Sequence, residues 1–311
     1  MVPAAAGART RKAASATAAR RRSFIARMDT SDGFGASRVR FESTGVSVGS
    51  LPPHGRPALS ATEQRDVETA LRDLPGIEQF VKRLLERIRP FLDLRPPARV
   101  LDIGAAQGVS MIAYGKEGFE VAGVEPWDDA RDVAEELAER TGVAIEIVEG
   151  VAEVLPFGDG SFDFVHTYSV LEHVDDPDAV FDEVHRVLKP GGGFYFATTS
   201  NISPRQNEIR HFPLFPWYPD RVRRAIMIWA RDNRPSWVGH TTRPAFFWFR
   251  HGEVRRQLEA LGFTVINRWQ LRAREHTGWR ASVIRAAATN RAVRLVADIA
   301  VPGVEYLAIK S

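Results

Sequence analysis

A glycine turn between two carboxylates offers the first chemistry in this 311-residue chain. The apolar run from Arg99 to Ile103 leads into a turn with Gly104 and Gly108, and Asp102 stands just before that turn. A second apolar run ends in Glu125. A strand, a glycine turn, a helix and a second strand that ends in an acid form a pocket for an adenosine-like ligand. The terminal carboxylate suits this role because it can accept hydrogen bonds from both ribose hydroxyls.

The spacing of the turn separates two classes of ligand. A dinucleotide loop usually has a third glycine, so that backbone amides close around a pyrophosphate, but Ala105 and Ala106 stand between Gly104 and Gly108 here. The carboxylate of Asp102 would repel a pyrophosphate and suits the ammonium of an amino-acid tail. A nucleoside that carries an amino acid is S-adenosyl-L-methionine. The alternatives are a nicotinamide dinucleotide and a glycine that serves only the tight turn.

Further motifs follow this turn in a fixed order. After Leu101–Gly108 come Leu155–Asp163 (LPFGDGSFD), Leu171–Val174 (LEHV) and Leu188–Gly192 (LKPGG). This succession closely resembles the class I S-adenosyl-L-methionine-dependent methyltransferases of the type 11-like branch, over residues 98–200. The resemblance implies an α/β fold with a doubly wound, mostly parallel, seven-stranded Rossmann-like sheet, and an enzyme that transfers a methyl group.

The resemblance also implies where the cofactor binds. Asp102, Gly104 and Gly108 hold the methionine end, Glu125 holds the ribose, and the loop after the third strand reaches the adenine. The full expected set is Asp102, Gly104, Ala105, Gly108, Glu125, Trp127, Ala152, Glu153 and His166, in which Trp127 either covers one adenine face or is an ordinary aromatic residue.

One position departs from the family. Many members have Gly-Asp-Ala-Glu where this chain has Gly150-Val151-Ala152-Glu153. The carboxylate expected at the adenine amino group is therefore replaced by valine. Either a backbone carbonyl or Glu153 takes that role, or cofactor affinity is weaker.

Histidines are the candidate catalytic residues. Methyl transfer is an in-line displacement, so the protein mainly aligns the acceptor, and a hydroxyl acceptor needs a base that takes its proton. His173 is the first candidate, although it would also fit a structural role at a helix start, and His211 among the aromatic residues of 201–250 is the second. Glu172 and His173 resemble part of the metal-binding pattern Glu-x-x-Glu-His of quinone-pathway O-methyltransferases. Because Ser169 takes its first position, we expect no required metal.

Composition limits the partners. The formal net charge is +3, but residues 1–27 carry seven basic residues and no acid, so the remaining residues sum to −4 and do not fit a nucleic-acid binder. Cysteine is absent, and no apolar run approaches the roughly 18 residues of a membrane span. We expect a cytoplasmic enzyme, with a peripheral position on the inner membrane face as the alternative. The sequence does not indicate an oligomeric state.

Four segments are expected along the chain. Residues 1–58 read as a disordered basic tail and linker, with a targeting segment or a start-site artefact as alternatives for residues 1–27. Residues 59–200 are expected to hold N-terminal helices, with a capping box at Ser60 and Glu63 and a break at Pro75-Gly76, and the cofactor-binding core. Residues 201–250 are expected to form a cap. In residues 251–311, C-terminal helices and two last strands, Phe263 to Leu271 and Val304 to Lys310, would complete the sheet.

The expected cap carries the signal for the acceptor. It holds ten of the 30 aromatic residues and nine arginines against three acids. Arginine among aromatic rings suits an anionic acceptor, either a small molecule or a lipid-linked one such as a sugar, quinone or aromatic acid. The alternative is a small aromatic core with solvated arginines. The mix of arginine and apolar residues in Asp220 to Ala230 also predicts weak peripheral contact with an anionic bilayer.

O-methylation of such an acceptor is the function that the sequence favours. The competing interpretations are a nicotinamide-dependent oxidoreductase on a Rossmann-type fold and a methyltransferase-like binding protein without turnover. The valine at position 151 is the sequence feature behind the second of these.

Overall fold

The computed structural model describes residues 66–239, 243–275 and 277–311. The expected tail of residues 1–58 and the capping box at Ser60 and Glu63 lie outside the described residues.

A single mixed sheet organises this part of the chain. Its order is β3-β2-β1-β4-β5-β7-β6, with β3, β2, β1, β4 and β5 parallel and β7 antiparallel to both β5 and β6. The strands are β1 (Arg99–Ile103), β2 (Glu120–Val124), β3 (Glu146–Val148), β4 (Phe162–Tyr168), β5 (Leu188–Thr198), β6 (Phe263–Asn267) and β7 (Val304–Lys310).

Helices cover both faces of the sheet, as the doubly wound prediction requires. They are α1 (Val67–Ile88), α2 (Val109–Lys116), α3 (Asp128–Thr141), α4 (Pro177–Val187), α5 (Asp220–Asn233), α6 (His251–Ala260), α7 (Arg268–Arg272), α8 (Gly278–Thr289) and α9 (Arg291–Ala300). Buried side chains of α1 and α2 pack on one face and those of α4 and α6 on the other. The predicted α/β fold with a seven-stranded sheet is confirmed.

The break expected at Pro75-Gly76 is wrong, because α1 continues through both residues. Proline removes one helical hydrogen bond at a cost of about 3 kcal/mol. Buried apolar side chains lie on both sides of it: Leu74 packs with Leu137 of α3, and Val81 packs into the core beside the sheet. This continuous packing offsets the loss and keeps the helix in one piece.

The strand expected from Phe263 to Leu271 is too long. β6 ends at Asn267, whose side chain accepts the amide hydrogens of Trp269 and Gln270 and starts α7. The Gln270 side chain accepts from the Asn267 amide in return, which completes a capping box. The second expected strand, Val304 to Lys310, matches β7.

Residues 201–250 connect β5 to α6 and contain α5 with two short helical turns, Phe215–Trp217 and Pro235–Trp237. Backbone pairing between Ile209 and Val238 joins the stretch before α5 to the stretch after it. None of the helices in the described ranges is both long and apolar enough to cross a lipid bilayer.

Candidate functional site

The glycine turn after β1 is held tightly against its neighbours. Gly104 has a φ of 72°, and a Cβ atom there would come within 2.5 Å of a methyl carbon of Val170. Gly108 has a φ of 71°, and its Cβ would lie 2.7 Å from that of Ala134 in α3. A side chain at either position would both strain the backbone and push the turn away from its neighbours. The turn therefore requires glycine where the sequence has it.

Glu125 follows β2 and lies beside this turn. Its carboxylate accepts the amide hydrogens of Ala106 at 2.9 Å and of Trp127 at 3.2 Å, and the residue is only 5% exposed. Ala105 is tied to the same place, since its amide donates to the Val124 carbonyl at 3.1 Å. The structure thus brings Ala105, Glu125 and Trp127 together at the carboxyl ends of β1 and β2, as the sequence predicted.

Asp102 and His166 occupy paired positions on β1 and β4. Oδ1 of Asp102 lies 3.2 Å from Nδ1 of His166, and both side chains are buried. Tyr114 of α2 packs edge-on against the His166 ring with centroids 5.6 Å apart. Burial, and then the charge of Asp102, raise the pKa of Tyr114 well above its usual value.

Two atoms of this cluster lack partners. Nε2 of His166 and the hydroxyl of Tyr114 are buried without a hydrogen-bond partner in the described part of the chain. Buried polar atoms usually have a hydrogen-bond partner, so a polar group of a bound ligand would supply the partner that each of these two atoms lacks. α1 covers the cluster from one side, with Phe80 at 6.2 Å from His166 and 5.7 Å from the exposed ring of Tyr168, measured between ring centroids.

The sequence predicts that Glu153, in the loop after β3, binds the cofactor, but its carboxylate contacts the backbone of another loop. Oε1 of Glu153 accepts the amide hydrogen of Asp175 at 2.7 Å, so its carboxylate holds the loop before α4. Ala152 is buried, and Val151 is 39% exposed. The exposed valine offers no side-chain acceptor at the position where the family resemblance predicts an aspartate. Of the two alternatives for the adenine amino group, this geometry favours a backbone carbonyl over Glu153.

These residues fit the expected cofactor. The fixed Glu125 carboxylate suits the ribose hydroxyls, and the unpaired Nε2 of His166 beside Asp102 suits the polar methionine end. Gly104 and Gly108 let the turn between these groups pack closely against Val170 and Ala134.

A second cluster lies at the carboxyl end of β4, where His173 meets the segment after β5. The Nε2 atom of His173 lies 3.9 Å from Oε2 of Glu208, and the two side chains are 11% and 17% exposed, respectively. Burial lowers the pKa of His173 to about 4, so the imidazole is neutral at pH 7. Burial also raises the pKa of Glu208. Nδ1 of His173 is buried with no hydrogen-bond partner among the described residues.

Glu172 is the most deeply buried member of this cluster. It is 1% exposed, and Thr198 of β5 donates its hydroxyl hydrogen to Oε2 of Glu172 at 2.7 Å. Burial raises the pKa of Glu172 to about 8, so the carboxyl group is protonated at neutral pH. A protonated carboxyl group cannot accept a proton from a substrate, which leaves His173 as the candidate base of this turn. No group of three histidine or acidic residues within residues 66–239, 243–275 and 277–311 is arranged to hold a metal ion.

His211 occupies a different environment from His173. It is exposed, has a φ of 69°, and packs against the Trp237 ring with centroids 4.8 Å apart. Gly239 donates its amide hydrogen to the Glu208 carbonyl, and Arg210 donates to that of Trp237. This short ladder aligns the segment that carries both Glu208 and His211, but only Glu208 contacts His173.

Two adjacent arginines of α5 behave in opposite ways. Arg223 is buried, donates to the Pro216 carbonyl at 2.9 Å and to Asp220, and stacks on Trp248. Arg224 is half-buried, and its guanidinium lies 5.5 Å and 5.2 Å from the ring centroids of Phe246 and Phe247. Burial lowers the pKa of Arg224. No hydrogen bond or ion pair to its guanidinium is found in the ranges that the structure describes.

Backbone contacts connect Arg224 to the His173 cluster. The amides of Phe246 and Phe247 donate to the carbonyl oxygen of Glu172 at 2.8 Å and 3.3 Å. The two residues whose rings pack against the Arg224 guanidinium are therefore hydrogen-bonded through their backbone to the turn that contains His173. A partly desolvated cation on an element that is linked to the turn of a neutral imidazole suits the binding of an anion whose proton that imidazole could accept.

Sequence reasoning missed Glu208 and Arg224 as members of this site. The sequence does not single out Glu208, because Arg205 and Arg210 stand within three residues of it, just as arginines stand within three residues of Asp220 and Asp232. Nothing in the sequence distinguishes Arg224 from Arg223. The packing of α5 decides which of the two guanidinium groups is buried and hydrogen-bonded within the protein.

Known proteins match the centre of this chain. A family model described as "Methyltransferase domain" matches residues 101–196. The ubiquinone biosynthesis O-methyltransferase of Pseudomonas aeruginosa is 36% identical over 111 residues, which are 34% of this chain and 46% of that protein. An uncharacterized methyltransferase of Synechocystis is 37% identical over 128 residues, 40% of this chain and 56% of that protein. The chain thus spans about half the length of these curated relatives.

Among solved structures, the match to a putative sarcosine dimethylglycine methyltransferase from Galdieria sulphuraria covers 81% of this chain and 91% of that protein. The two share 17% identity, with a TM-score of 0.48. The match of residues 101–196 to the methyltransferase domain confirms the resemblance drawn from the motifs and supports S-adenosyl-L-methionine as the cofactor.

Proposed function

We propose that this chain, whose residues 101–196 match a methyltransferase domain, transfers a methyl group from S-adenosyl-L-methionine to an oxygen atom of an anionic acceptor. The acceptor is a small molecule or a lipid-linked one, and the reaction takes place in the cytoplasm. The observation that carries the proposal is the largely buried His173, which lies beside Glu208 and on the turn whose Glu172 carbonyl binds the backbone of the two residues that pack against Arg224.

The cofactor supplies an electrophilic methyl group, so the chain has to hold the acceptor and remove its proton. Asp102, Glu125 and His166 would hold the cofactor at the ends of β1, β2 and β4. Arg224 would bind the anionic group of the acceptor, because its guanidinium is partly desolvated and stacked on two aromatic rings. Alignment of this kind contributes up to roughly 7–11 kcal/mol to a transfer reaction.

His173 would accept the proton of the acceptor hydroxyl. Its imidazole is neutral at pH 7, and the imidazolium that forms would be stabilised by the carboxylate of Glu208. Glu172 would position this base from the same turn, since its neutral carboxyl group is fixed by Thr198. In this scheme the cap contributes both the anion-binding group and the partner of the base.

The proposed activity is tested by incubating the full chain with isotopically labelled S-adenosyl-L-methionine and a panel of acceptors. The panel contains hydroxylated aromatic acids, sugar acids and polyprenyl phenols, each with an analogue in which the hydroxyl is replaced by hydrogen. We expect label in the hydroxylated anions and none in the analogues. Label in amines but not in hydroxyl compounds would contradict O-methylation. The absence of label from every member of the panel would contradict methyl transfer to acceptors of this kind.

A further inference from the structure

Helix α9 presents its apolar face to solvent. The exposed side chains Ala292, Leu295, Val296 and Ile299 are spaced i, i+3, i+4 and i+7, which places them on one side of the helix. Leu295 is 55% exposed and Val296 is 69% exposed. A helix on the surface of a globular protein normally turns this stripe toward the core.

The polar side of α9 faces the protein instead. Asp298 is 5% exposed and accepts a hydrogen bond from the Trp269 indole nitrogen at 2.6 Å. The guanidinium of Arg294 donates to the carbonyls of Ala287 and Ala288 at the end of α8, at 2.9 Å and 2.7 Å. These contacts fix the rotation of α9, so the outward direction of its apolar stripe is specified by hydrogen bonds.

Helix α8 adds a second exposed apolar pair. Trp279 is 74% exposed and Val283, one helical turn later, is 47% exposed. The guanidinium of Arg280 lies 5.7 Å from the centroid of the Trp279 ring. Helices α8 and α9 pack against each other, and we call the exposed apolar side chains of this pair the α8–α9 face, which comprises Trp279, Val283, Ala292, Leu295, Val296 and Ile299.

The charges around the α8–α9 face have one sign. Arg280, Arg285 and Arg291 are exposed, and the single acid within residues 278–300 is the buried Asp298. Tryptophan and aliphatic side chains with flanking arginines are the composition of helices that lie in the interface of a bilayer, where the apolar atoms enter the acyl boundary and the cations meet anionic headgroups.

We propose that the α8–α9 face docks on the surface of an anionic lipid bilayer. A second copy of this chain suits the face less well, because a symmetric contact would bring the exposed arginines of two copies together. The docking does not depend on methyl transfer, and it lies on a segment other than Asp220 to Ala230, which the sequence had favoured for membrane contact.

Flotation of the full chain with vesicles tests this surface. The vesicles contain either equal parts of phosphatidylcholine and phosphatidylglycerol or phosphatidylcholine alone. We expect the wild-type protein to float with the anionic vesicles and to bind the neutral ones much more weakly. Trp279→Ala and Val296→Glu should each reduce the bound fraction, and together they should lower the partition coefficient by about tenfold or more.

Val222→Glu is the matched control, since Val222 is an exposed valine on α5 with 44% exposure and the substitution changes the net charge equally. All variants keep the basic residues 1–27, so a difference between them reports on the substituted helix. We expect Val222→Glu to bind as the wild type does, and all variants to keep the wild-type melting temperature.

Three results would overturn the proposal. The first is a wild-type protein that does not float with anionic vesicles. The second is equal loss of binding in Val222→Glu and Val296→Glu, which would assign the effect to net charge or to α5. The third is a dimer in sedimentation that Val296→Glu dissociates, without vesicle binding, because the face would then belong to a second copy.

Discussion

The Nε2 atom of His173 lies 3.9 Å from Oε2 of Glu208, and this contact joins the turn after β4 to the segment that follows β5. Burial lowers the pKa of the imidazole to about 4 and raises that of the carboxyl group. Burial thus disfavours the charged form of each group. A proton taken from an acceptor would create an imidazolium beside the Glu208 carboxylate, and the attraction between these two charges would offset part of that cost.

The first prediction concerns the base. His173→Asn should lower kcat by about 10²- to 10⁴-fold while the dissociation constant for S-adenosylhomocysteine changes little, because the imidazole serves proton transfer and not cofactor binding. His211→Asn is the matched control, since His211 is exposed on the same segment as Glu208. Steady-state kinetics together with calorimetry separate the two effects. The opposite ranking of the two variants would move the base to His211.

The second prediction concerns the anionic group of the acceptor. Arg224→Gln should raise KM for an anionic acceptor by roughly tenfold or more, since a charged hydrogen bond contributes about 1.5–3 kcal/mol. Arg221→Gln on the same helix is exposed and should leave KM unchanged. Equal KM values for Arg224→Gln and the wild type would show that the acceptor's charge is bound elsewhere.

The third prediction concerns the pH dependence of stability. The folded state holds the Glu172 proton up to a pKa of about 8, whereas the unfolded chain releases it near the ordinary value of 4.5. The stability contributed by the neutral form is therefore complete below pH 4.5 and is lost as the pH rises toward 8, with a limiting slope of about 1.4 kcal/mol per pH unit.

Glu172→Gln should remove this loss, because the amide stays neutral. Urea unfolding at several pH values should show the variant gaining on the wild type from pH 5 to pH 8. Glu135→Gln, at an exposed position of α3, should follow the wild-type curve. A constant difference between Glu172→Gln and wild type across this range would mean that Glu172 is ionised in the folded protein.

The fourth prediction concerns the network that attaches α1 to β7. Glu305 is 2% exposed, and it pairs with Arg87, Arg268 and Arg272 at 3.2, 3.0 and 2.7 Å while Tyr195 donates its hydroxyl hydrogen at 3.1 Å. Glu305→Gln removes the buried carboxylate that three arginines share, two of which are only 11% exposed, and should cost about 3–5 kcal/mol in unfolding free energy.

The outer carboxylate of this network provides the control. Glu275 also pairs with Arg87, but its side chain is 31% exposed, so Glu275→Gln should cost about 0–1 kcal/mol. Thermal and chemical denaturation measure both variants. A similar cost for the two substitutions would show that the burial of Glu305 adds nothing to the strength of its pairs.

Local sequence patterns predicted the glycine turn after β1 and the position of Glu125 beside it, because a glycine turn and the ends of adjacent parallel strands are set by short-range chemistry. Gly104 needs its positive φ, and Glu125 lies next to the turn once β1 and β2 pair. The strand after residue 263 was overextended because apolar residues continue past Asn267, while the capping box at Asn267 and Gln270 decides where it ends.

Long-range packing decided the features that sequence could not predict. Pro75 stays inside α1 because contacts on both sides of it outweigh the lost hydrogen bond. The difference between Arg223 and Arg224 arises from the rotation of α5. In the same way, the strong amphipathic pattern of α9 predicts a helix, but only the bonds of Arg294 and Asp298 show which face is outward.

Calorimetric titration of the full chain with S-adenosylhomocysteine and with NAD tests the central claim most directly. We predict binding of S-adenosylhomocysteine only, and a loss of about 1.5–3 kcal/mol in Glu125→Gln, because charged hydrogen bonds to the ribose disappear. Glu120→Gln, exposed at the start of the same strand, should bind as the wild type does. Binding of NAD without binding of S-adenosylhomocysteine, or an unchanged affinity in Glu125→Gln, would contradict the proposed cofactor site.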